Sequence, residues 1–290
     1  MNALQKIDVF EQQLGAFARI FPRSSAHEVA DAFVANSLFQ VQLNLNAIGL
    51  PTIPHGFELE RTDLGAIRTA FEERGRSVWG LSATYNAAHP DNMVRRTSTA
   101  RAAQFIRTMS NSGAVAATLC TGSRDPENMW RKHPDNASES AWRDMRESLE
   151  ALLSAAEESN VQLAVEPEPG NVVAGTAQAI RLIRELGDDA RHIGFILDPA
   201  NLISEHEQSK HEAVLREAFD QLGTKTICVH AKDTVPWTET LDGLGVVDYE
   251  LVLDLRSHLP RHVPLIIQDA TEVQIPELCH RLRSIAATVA

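Results

Sequence analysis

The sequence has few of the features that mark secreted, membrane-embedded or disulfide-rich proteins. It contains 3 cysteines, Cys120, Cys228 and Cys279, and no C-x-x-C pair, which excludes a disulfide framework and indicates free thiols in a reducing compartment. No apolar run reaches the roughly 20 residues that a membrane span requires. The first residues also lack the basic and then apolar pattern of a signal peptide. We therefore expect a cytoplasmic protein without a membrane partner.

The charge pattern argues against a nucleic-acid partner. The 290 residues have a formal net charge of -12 and no block of Lys or Arg, whereas a phosphate backbone is bound by a basic face. Neither G-x-x-x-x-G-K-[ST] nor G-x-G-x-x-G occurs, so the sequence has no phosphate-binding loop of these types. With 43% hydrophobic residues the chain can bury a large core, and residues 1–290 are predicted to form one domain.

Strand-like apolar runs alternate with helix-like segments along the whole chain. The predicted strands are 13–21, 38–45, 77–84, 114–120, 161–166, 193–198, 226–230 and 264–268. The predicted helices are 25–37, 63–74, 94–110, 137–159, 176–186, 207–222, 249–258 and 272–287. Continuous, β-branched runs are typical of parallel strands buried on both faces. Eight strand–helix units predict an α/β fold, the closed (β/α)8 TIM barrel, with a doubly wound open sheet as the alternative.

Metal-capable side chains stand at the carboxyl ends of four of these strands. Glu166, Asp198, His230 and Gln268 each end an apolar run, and successive ones are separated by roughly 30–40 residues, about one strand–helix unit. Parallel barrel strands direct such residues to one point on the top face. Two carboxylates, an imidazole and a carboxamide suit a hard or borderline divalent cation. For each residue alone, a helix cap or a loop hydrogen bond explains the position equally well.

Four segments resemble the sugar phosphate isomerase/epimerase family of xylose isomerase-like TIM barrels. They are LAVEPEPGN, ILDPAN, VHAKD and DGLGVVDYELVLDLR. The resemblance implies that Glu166, Asp198 and His230 bind a divalent metal together with a fourth strand-end glutamate. This chain departs from the family at that fourth position, where Gln268 stands. The resemblance implies Mn²⁺ as the metal, with Mg²⁺, Co²⁺ or Zn²⁺ as alternatives.

The same resemblance implies proton abstraction next to a metal-polarised carbonyl, through an enediolate. Family epimerases use two metal-bound glutamates on opposite faces of the substrate carbon. Here Glu166 takes one place, and Gln268 in the other cannot act as a base. The first prediction is a metal-dependent isomerase or epimerase of a keto sugar or sugar derivative. The alternative is a metal-dependent lyase, either a dehydratase or a decarboxylase of an oxidised sugar acid.

Two further interpretations are less favoured. A barrel that binds a sugar without catalysis would have little reason to keep Glu166, Asp198 and His230 together. A DNA-repair endonuclease of a related barrel family would need a larger metal cluster and a basic face, and the acidic chain shows neither. A small-molecule sugar or sugar acid is therefore the expected partner.

Lys232 is the predicted catalytic residue beside the metal ligands. It follows His230 by two positions, and the resemblance implies that it contacts a hydroxyl group or an oxyanion of the substrate, with a surface cation as the alternative. Asp233 is a candidate ion-pair partner. Asp269 is expected to point away from the lumen because it directly follows Gln268. The candidates for a second acid or base are Glu168, Asp269, His89 and Lys232.

Two histidines in top-face loops are candidate substrate contacts. The tetrapeptide HPDN occurs twice, beginning at His89 and at His133. Pro-Asp-Asn is ordinary turn chemistry, but a histidine precedes it both times and imidazoles titrate near neutral pH. At least one of the two is therefore expected in the pocket, with a purely structural turn as the alternative.

The remaining predicted substrate contacts are an arginine, a tryptophan and an asparagine. In the loop 121–136, which is long enough to form a lid, Arg124 is expected to hold a carboxylate or phosphate and Trp130 to stack on a sugar ring. A solvated loop is the alternative. Asn201, in ILDPAN, completes the set. A homo-oligomer is left open, with Trp237 and Leu241 as candidate contact residues.

Overall fold

Eight parallel strands form a closed barrel in a computed structural model of the chain. The structure describes residues 9–235, 245–260 and 262–289. The strands pair in chain order, and the first also pairs with the last. They are β1 (Leu14–Phe17), β2 (Gln40–Leu43), β3 (Ser77–Ser82), β4 (Ala116–Cys120), β5 (Gln162–Glu166), β6 (Ile193–Leu197), β7 (Thr226–Ala231) and β8 (Leu265–Ile267). The predicted TIM barrel is confirmed, and the open sheet is wrong.

Helices surround the barrel and cover its outer face. They are α1 (Ala26–Ala35), α2 (Phe57–Arg61), α3 (Leu64–Glu72), α4 (Asn92–Ile106), α5 (Glu139–Ser159), α6 (Thr176–Leu186), α7 (Pro199–Ile203), α8 (His211–Leu222), α9 (Tyr249–Ser257) and α10 (Ile275–Val289). The short helices α2 and α7 were not predicted, because neither is long enough to show helical periodicity. None of the described helices combines the length and hydropathy needed to cross a bilayer.

Polar side chains fix where several helices begin. Ser25 accepts a hydrogen bond from the backbone N–H of Glu28 at the start of α1. Asp91 caps α4, and Asp248 caps α9. Each cap satisfies an N–H group that has no partner inside its helix. These helices therefore begin after the top-face loops that follow the carboxyl ends of the strands.

A small apolar cluster fills the barrel beneath the predicted metal ligands. Ala164, Ile196 and Cys228 belong to this cluster, which is separate from the larger core between sheet and helices. Each stands two positions before one of the predicted ligands, and residues two apart on a strand face the same side. The ligand side chains therefore lie inside the barrel, on an apolar floor and below the top-face loops.

Candidate metal centre

Glu166, Asp198 and His230 meet at the carboxyl ends of β5, β6 and β7. All three are buried, and one potential ligand atom of each lies within 4.8 Å of those of the other two. Nδ1 of His230 is 3.2 Å from Oε1 of Glu166 and 3.7 Å from Oδ2 of Asp198. The structure thus brings together three of the four predicted ligands in a set that can hold a metal. Their role as metal ligands stays a prediction.

The two carboxylate oxygens of Asp198 have different roles, one at a helix N-terminus and one in the ligand set. Oδ1 accepts a 3.1 Å hydrogen bond from the backbone N–H of Asn201 and so caps α7. Oδ2 is buried and makes no hydrogen bond with the residues that the structure describes, although Nζ of Lys232 lies 3.5 Å away. A buried carboxylate oxygen without a hydrogen bond is unfavourable unless a cation completes it. The donor set therefore fits a divalent cation.

The charges of Asp198 and His230 depend on each other. Burial acts to raise the pKa of Asp198, but His230 and Lys232 outweigh it and hold that pKa below its ordinary value. Burial acts to lower the pKa of His230, but Glu166 and Asp198 raise it well above its ordinary value. Without a metal, a protonated imidazole therefore balances the two carboxylates. A metal ion would compete with that proton for the same lone pair.

Asn201 connects Glu166 to two further charged side chains. Its amide group donates to Oε1 of Glu166 at 3.1 Å and to Oε2 of Glu168 at 2.8 Å. Its Oδ1 accepts from Nζ of Lys232 at 2.9 Å. Both amide protons are therefore hydrogen-bonded within the protein, and Asn201 links the two glutamates and the lysine to one another. The contact with substrate that the sequence predicted for Asn201 stays a prediction.

Lys232 and Glu168 both have raised pKa values, with different consequences. Burial acts to lower the pKa of Lys232, but the surrounding carboxylates, chiefly Asp198, raise it above its ordinary value. Lys232 therefore stays charged and is a poor candidate for a second base. Burial and the nearby Glu166 raise the pKa of Glu168 to about 7, and a group with such a pKa can take or give a proton near neutral pH.

Gln268 and Asp269 follow β8 at the same end of the barrel. Gln268 is half-buried, and its backbone N–H donates to the carbonyl of Ala231 at 3.0 Å. Its role as a fourth ligand stays a prediction. Asp269 has a φ of 52°, and its Oδ2 lies 3.7 Å from Nζ of Lys232. The expectation that Asp269 points away from the site was wrong, because strand alternation ends at Ile267.

The sequence matches a family model along most of the barrel. The model of xylose isomerase-like TIM barrels covers residues 41–265. The chain belongs to this family. The resemblance seen in the four sequence segments is thereby confirmed, while no curated protein sequence matches the chain.

Solved structures of sugar epimerases share the fold of this xylose isomerase-like barrel. A 3-keto-D-glucoside 4-epimerase from E. coli has 15% sequence identity and a TM-score of 0.69, over 96% of this chain and 98% of that chain. An L-ribulose 3-epimerase has 15% identity and a TM-score of 0.67, over 95% and 91% of the two chains. A D-psicose 3-epimerase from Clostridium cellulolyticum H10 has 10% identity and a TM-score of 0.65, over 95% and 96%. At these identities the likeness concerns the fold.

The two HPDN histidines of this xylose isomerase-like barrel have matching turn contacts. Nδ1 of His89 accepts the backbone N–H of Asp91 at 3.1 Å, and Nδ1 of His133 accepts that of Asp135 at 3.2 Å. The other ring nitrogen of His89 faces the carbonyl of Pro126 at 3.3 Å. These contacts agree with the turn alternative. The predicted contacts of His89 and His133 with a substrate stay predictions.

Arg124 is engaged by the protein itself. Its Nη2 lies 2.7 Å from Oδ2 of Asp144 on α5, and its Nη1 donates to the carbonyl of Ala88 at 3.2 Å. The side chain is only 9% exposed, so its charge is already balanced inside the fold. This geometry does not support the prediction that Arg124 holds an anionic group of the substrate.

The loop 121–136 is tied to the loop after β5. Asn136 donates to the carbonyl of Gly170 at 2.8 Å, and Asn171 donates to that of Met129 at 2.9 Å. These bonds join the loop 121–136 to its neighbour as one wall of the top face, and the role of the loop as a lid stays a prediction. Trp130, on this wall, is 49% exposed and thus accessible to a ligand, although its stacking on a sugar stays a prediction.

Gln42 and Cys120 contact the ligand set and were not predicted from the sequence. Oε1 of Gln42, on β2, lies 2.8 Å from Nε2 of His230. Sγ of Cys120, at the end of β4, lies 3.8 Å from Oε2 of Glu166. Cys120 could have been predicted at the site, because it stands at the end of a predicted strand. Nothing in the sequence indicated Gln42, because it stands within β2 and is not a usual metal ligand.

The contacts predicted around the β7 loop have different outcomes. Asp233 was expected to pair with Lys232, but its Oδ1 accepts the backbone N–H of Thr234 at 2.7 Å and that of Val246 at 3.1 Å. Asp233 therefore fixes the backbone on both sides of the 236–244 segment. Trp237 and Leu241, the candidate oligomer contacts, lie outside the described residues.

Proposed function

We propose that the chain is a divalent-metal-dependent isomerase or epimerase of a keto sugar or a sugar derivative. The observation that carries the proposal is the buried set of Glu166, Asp198 and His230 at the top of the barrel, with the charged Lys232 beside it. Membership of the xylose isomerase-like family and the shared fold with sugar epimerases support it. A divalent ion bound there would polarise a carbonyl group of the substrate.

Glu166 is the proposed base. Its Oε1 faces the imidazole of His230 and the amide of Asn201. Among the described residues, its Oε2 contacts the thiol of Cys120, with Sγ 3.8 Å away, and this oxygen is the one that would take the proton. Glu166 would remove the proton from the carbon next to the carbonyl and leave an enediolate. The ammonium of Lys232, held by Asn201, would contact a substrate oxygen as negative charge develops there.

The second proton-transfer step needs a group other than Gln268. Glu168 is the best-placed candidate, since it shares the amide group of Asn201 with Glu166. A lyase acting on a sugar acid is the second candidate function, because a site with one strong base suits elimination from an enediolate. Arg124 does not favour the lyase, since Asp144 already balances its charge. We therefore rank isomerisation or epimerisation first.

The compartment is proposed from the cysteines, and the partner from the position of the ligand set. All three cysteines are free and buried, which suits a reducing compartment, and we propose a cytoplasmic enzyme. Its proposed partner is a small sugar, because the ligand set lies inside the barrel below the loops. We propose no macromolecular partner for this site.

Metal analysis tests the site directly. Purified protein is incubated with Mn²⁺, Co²⁺, Zn²⁺ or Mg²⁺, passed through a desalting column and analysed for metal per chain. About one ion per chain is expected for wild type, and little for Asp198→Asn, which keeps an oxygen able to cap α7. Asp248→Asn, which changes a cap away from the site, is the matched control and should bind metal normally. Absence of metal uptake by wild type would overturn the proposal.

The reaction class is tested with candidate substrates in deuterated water. An isomerase or epimerase conserves the mass of the substrate except for deuterium gained at the carbon next to the carbonyl. A lyase instead releases water or carbon dioxide, which mass spectrometry of the products detects. Keto sugars and sugar acids are screened in parallel with the metal-loaded protein. Loss of water or carbon dioxide from the accepted substrate would favour the lyase and exclude the isomerase.

A further inference from the structure

The imidazole of His230 is held from both sides inside the barrel. Nδ1 faces Glu166 and Asp198, and Nε2 lies 2.8 Å from Oε1 of Gln42. His230 is 0% and Gln42 4% exposed, so water does not compete for this hydrogen bond. Gln42 stands on β2, whereas the three predicted ligands stand at the carboxyl ends of β5, β6 and β7. The contact therefore reaches His230 from outside the strands that supply the ligand set.

The contact selects one form of the imidazole. A neutral histidine carries its proton on one ring nitrogen and a lone pair on the other. Oε1 of Gln42 can only accept, so it favours a proton on Nε2 and leaves the lone pair on Nδ1. Nδ1 is the nitrogen beside the two carboxylates, where a metal would bind. Histidine ligands in proteins generally donate their other N–H to such an acceptor.

A second contact holds the amide group of Gln42. Its Nε2 lies 3.5 Å from Oγ1 of Thr118 on β4, and Thr118 is also buried. The hydroxyl can accept from the amide, which leaves Oε1 directed at His230. Thr118, Gln42 and His230 thus form a polar line across the lumen, with the ligand set at one end.

We propose that Gln42 is a positioning residue for the metal site, because it holds His230 in the Nε2-protonated form with Nδ1 available to the ion. This inference rests on the proposed function, since it requires a metal at Glu166, Asp198 and His230. Gln42 itself contacts no ligand atom of the two carboxylates among the described hydrogen bonds. Its effect on the ion acts through His230.

Metal affinity of Gln42 variants tests the inference without any substrate. Gln42→Met keeps the side-chain length but removes the acceptor, and the dissociation constant for Mn²⁺ or Zn²⁺ is expected to rise about 10–100-fold. Gln42→Glu keeps an acceptor and should bind at least as tightly as wild type. Gln40→Met, on the same strand, loses a hydrogen bond to the carbonyl of Gln12 and is the matched control, with unchanged affinity expected.

Nitrogen NMR of the Zn²⁺-loaded protein gives a second readout. The His230 signal, assigned by its loss in His230→Gln, is expected to show a protonated Nε2 and a metal-bound Nδ1 in wild type and in Gln42→Glu. In Gln42→Met that signal should broaden or divide between two forms. If Gln42→Met does not fold, the inference is tested by the metal affinity and the His230 NMR signal of Gln42→Glu.

The outcomes separate this inference from the proposed function. Metal binding by wild type together with equal binding by Gln42→Met would overturn the role of Gln42 and leave the metal site intact. Equal weakening in Gln42→Met and Gln40→Met would also overturn it, since the cause would be a general disturbance of β2. Weaker metal binding by Gln42→Glu would also overturn the role of Gln42. So would an NMR signal showing that the metal binds Nε2 of His230. Absence of metal in wild type would overturn both proposals.

Discussion

Nζ of Lys232 lies 3.5 Å from Oδ2 of Asp198, a buried oxygen that makes no hydrogen bond with the described residues. The same ammonium group is held by Oδ1 of Asn201 at 2.9 Å. Lys232 therefore reaches the rim of the ligand set from a fixed position. A cation there cannot serve as a base, but it can stabilise negative charge on a substrate oxygen.

Replacing Lys232 should separate catalysis from metal binding. Lys232→Met removes the charge and keeps most of the chain length, so turnover should fall by about 10²–10³-fold while metal per chain stays near the wild-type value. Lys225→Met, which removes a lysine that binds the carbonyl of Ala190 away from the site, is the control. Steady-state kinetics and metal analysis on the same samples check this. Loss of metal from Lys232→Met would assign the lysine to the metal site instead.

Glu166→Gln should abolish turnover and leave the fold intact. The new amide oxygen can still accept from Asn201, but the side chain can no longer take a proton. Glu168→Gln should slow product formation while exchange of the substrate C–H with deuterated water continues, because Glu166 remains. Exchange measured by mass spectrometry and thermal unfolding of each variant check this. Retained exchange in Glu166→Gln would remove Glu166 as the base.

Gln268→Glu introduces after the eighth strand the glutamate that the sequence resemblance implies at this position. A carboxylate binds a divalent ion more strongly than a carboxamide, so metal affinity should be equal to or tighter than wild type. Gln221→Glu, which adds the same charge on exposed α8, should leave affinity unchanged. Competition with a chelator measures both. Weaker binding by Gln268→Glu would show that residue 268 does not contact the ion.

The sequence was sufficient for the barrel and for the centre of the site. The pattern of apolar residues indicates which segments are buried. Each of the eight strands is an apolar run followed by a helix. Parallel strands direct their carboxyl ends to one point, so Glu166, Asp198 and His230 could be placed together without coordinates. The exact residue at which a strand ends could not be predicted in the same way. Asp269 reaches Lys232 only because β8 ends at Ile267.

The residues around the centre were harder to predict. Whether Arg124 faces a ligand or Asp144 depends on how α5 packs, and no local pattern encodes that packing. His89 and His133 make their turn contacts within two residues, so these contacts follow from the local sequence, whereas their contact with a substrate stays a prediction. Gln42 reaches His230 across the lumen from a position 188 residues away in sequence. A contact of that range leaves no trace in periodicity or spacing.

Asp144 should be important for stability. It lies 2.7 Å from Nη2 of Arg124 and 3.4 Å from Nη2 of Arg95, and both arginine side chains are less than 10% exposed. Asp144→Asn leaves two buried guanidinium groups without a counter-charge, which should lower the free energy of unfolding by about 3 kcal/mol. Glu150→Gln removes an exposed ion pair of the same helix and should cost less than about 1 kcal/mol. Urea unfolding compares them, and equal effects would contradict the prediction.

Gly170→Ala should disturb the wall that carries Trp130. A Cβ atom on Gly170 would lie 2.1 Å from the carbonyl oxygen of Trp130, so the loop 121–136 must shift or the protein must bear overpacking of about 1–3 kcal/mol. Gly175→Ala is the matched control in the same connection, because its nearest atom, Oε1 of Gln178, is 3.9 Å away. Thermal unfolding should therefore separate the two variants.

The same pair of variants tests whether Trp130 contacts the sugar. If Trp130 stacks on the substrate, Gly170→Ala should raise KM severalfold with little change in kcat, because the displaced indole lowers affinity without touching Glu166 or Lys232. Gly175→Ala should keep the wild-type KM. A destabilised Gly170→Ala with unchanged KM would show that the wall is structural and that Trp130 lies outside the pocket.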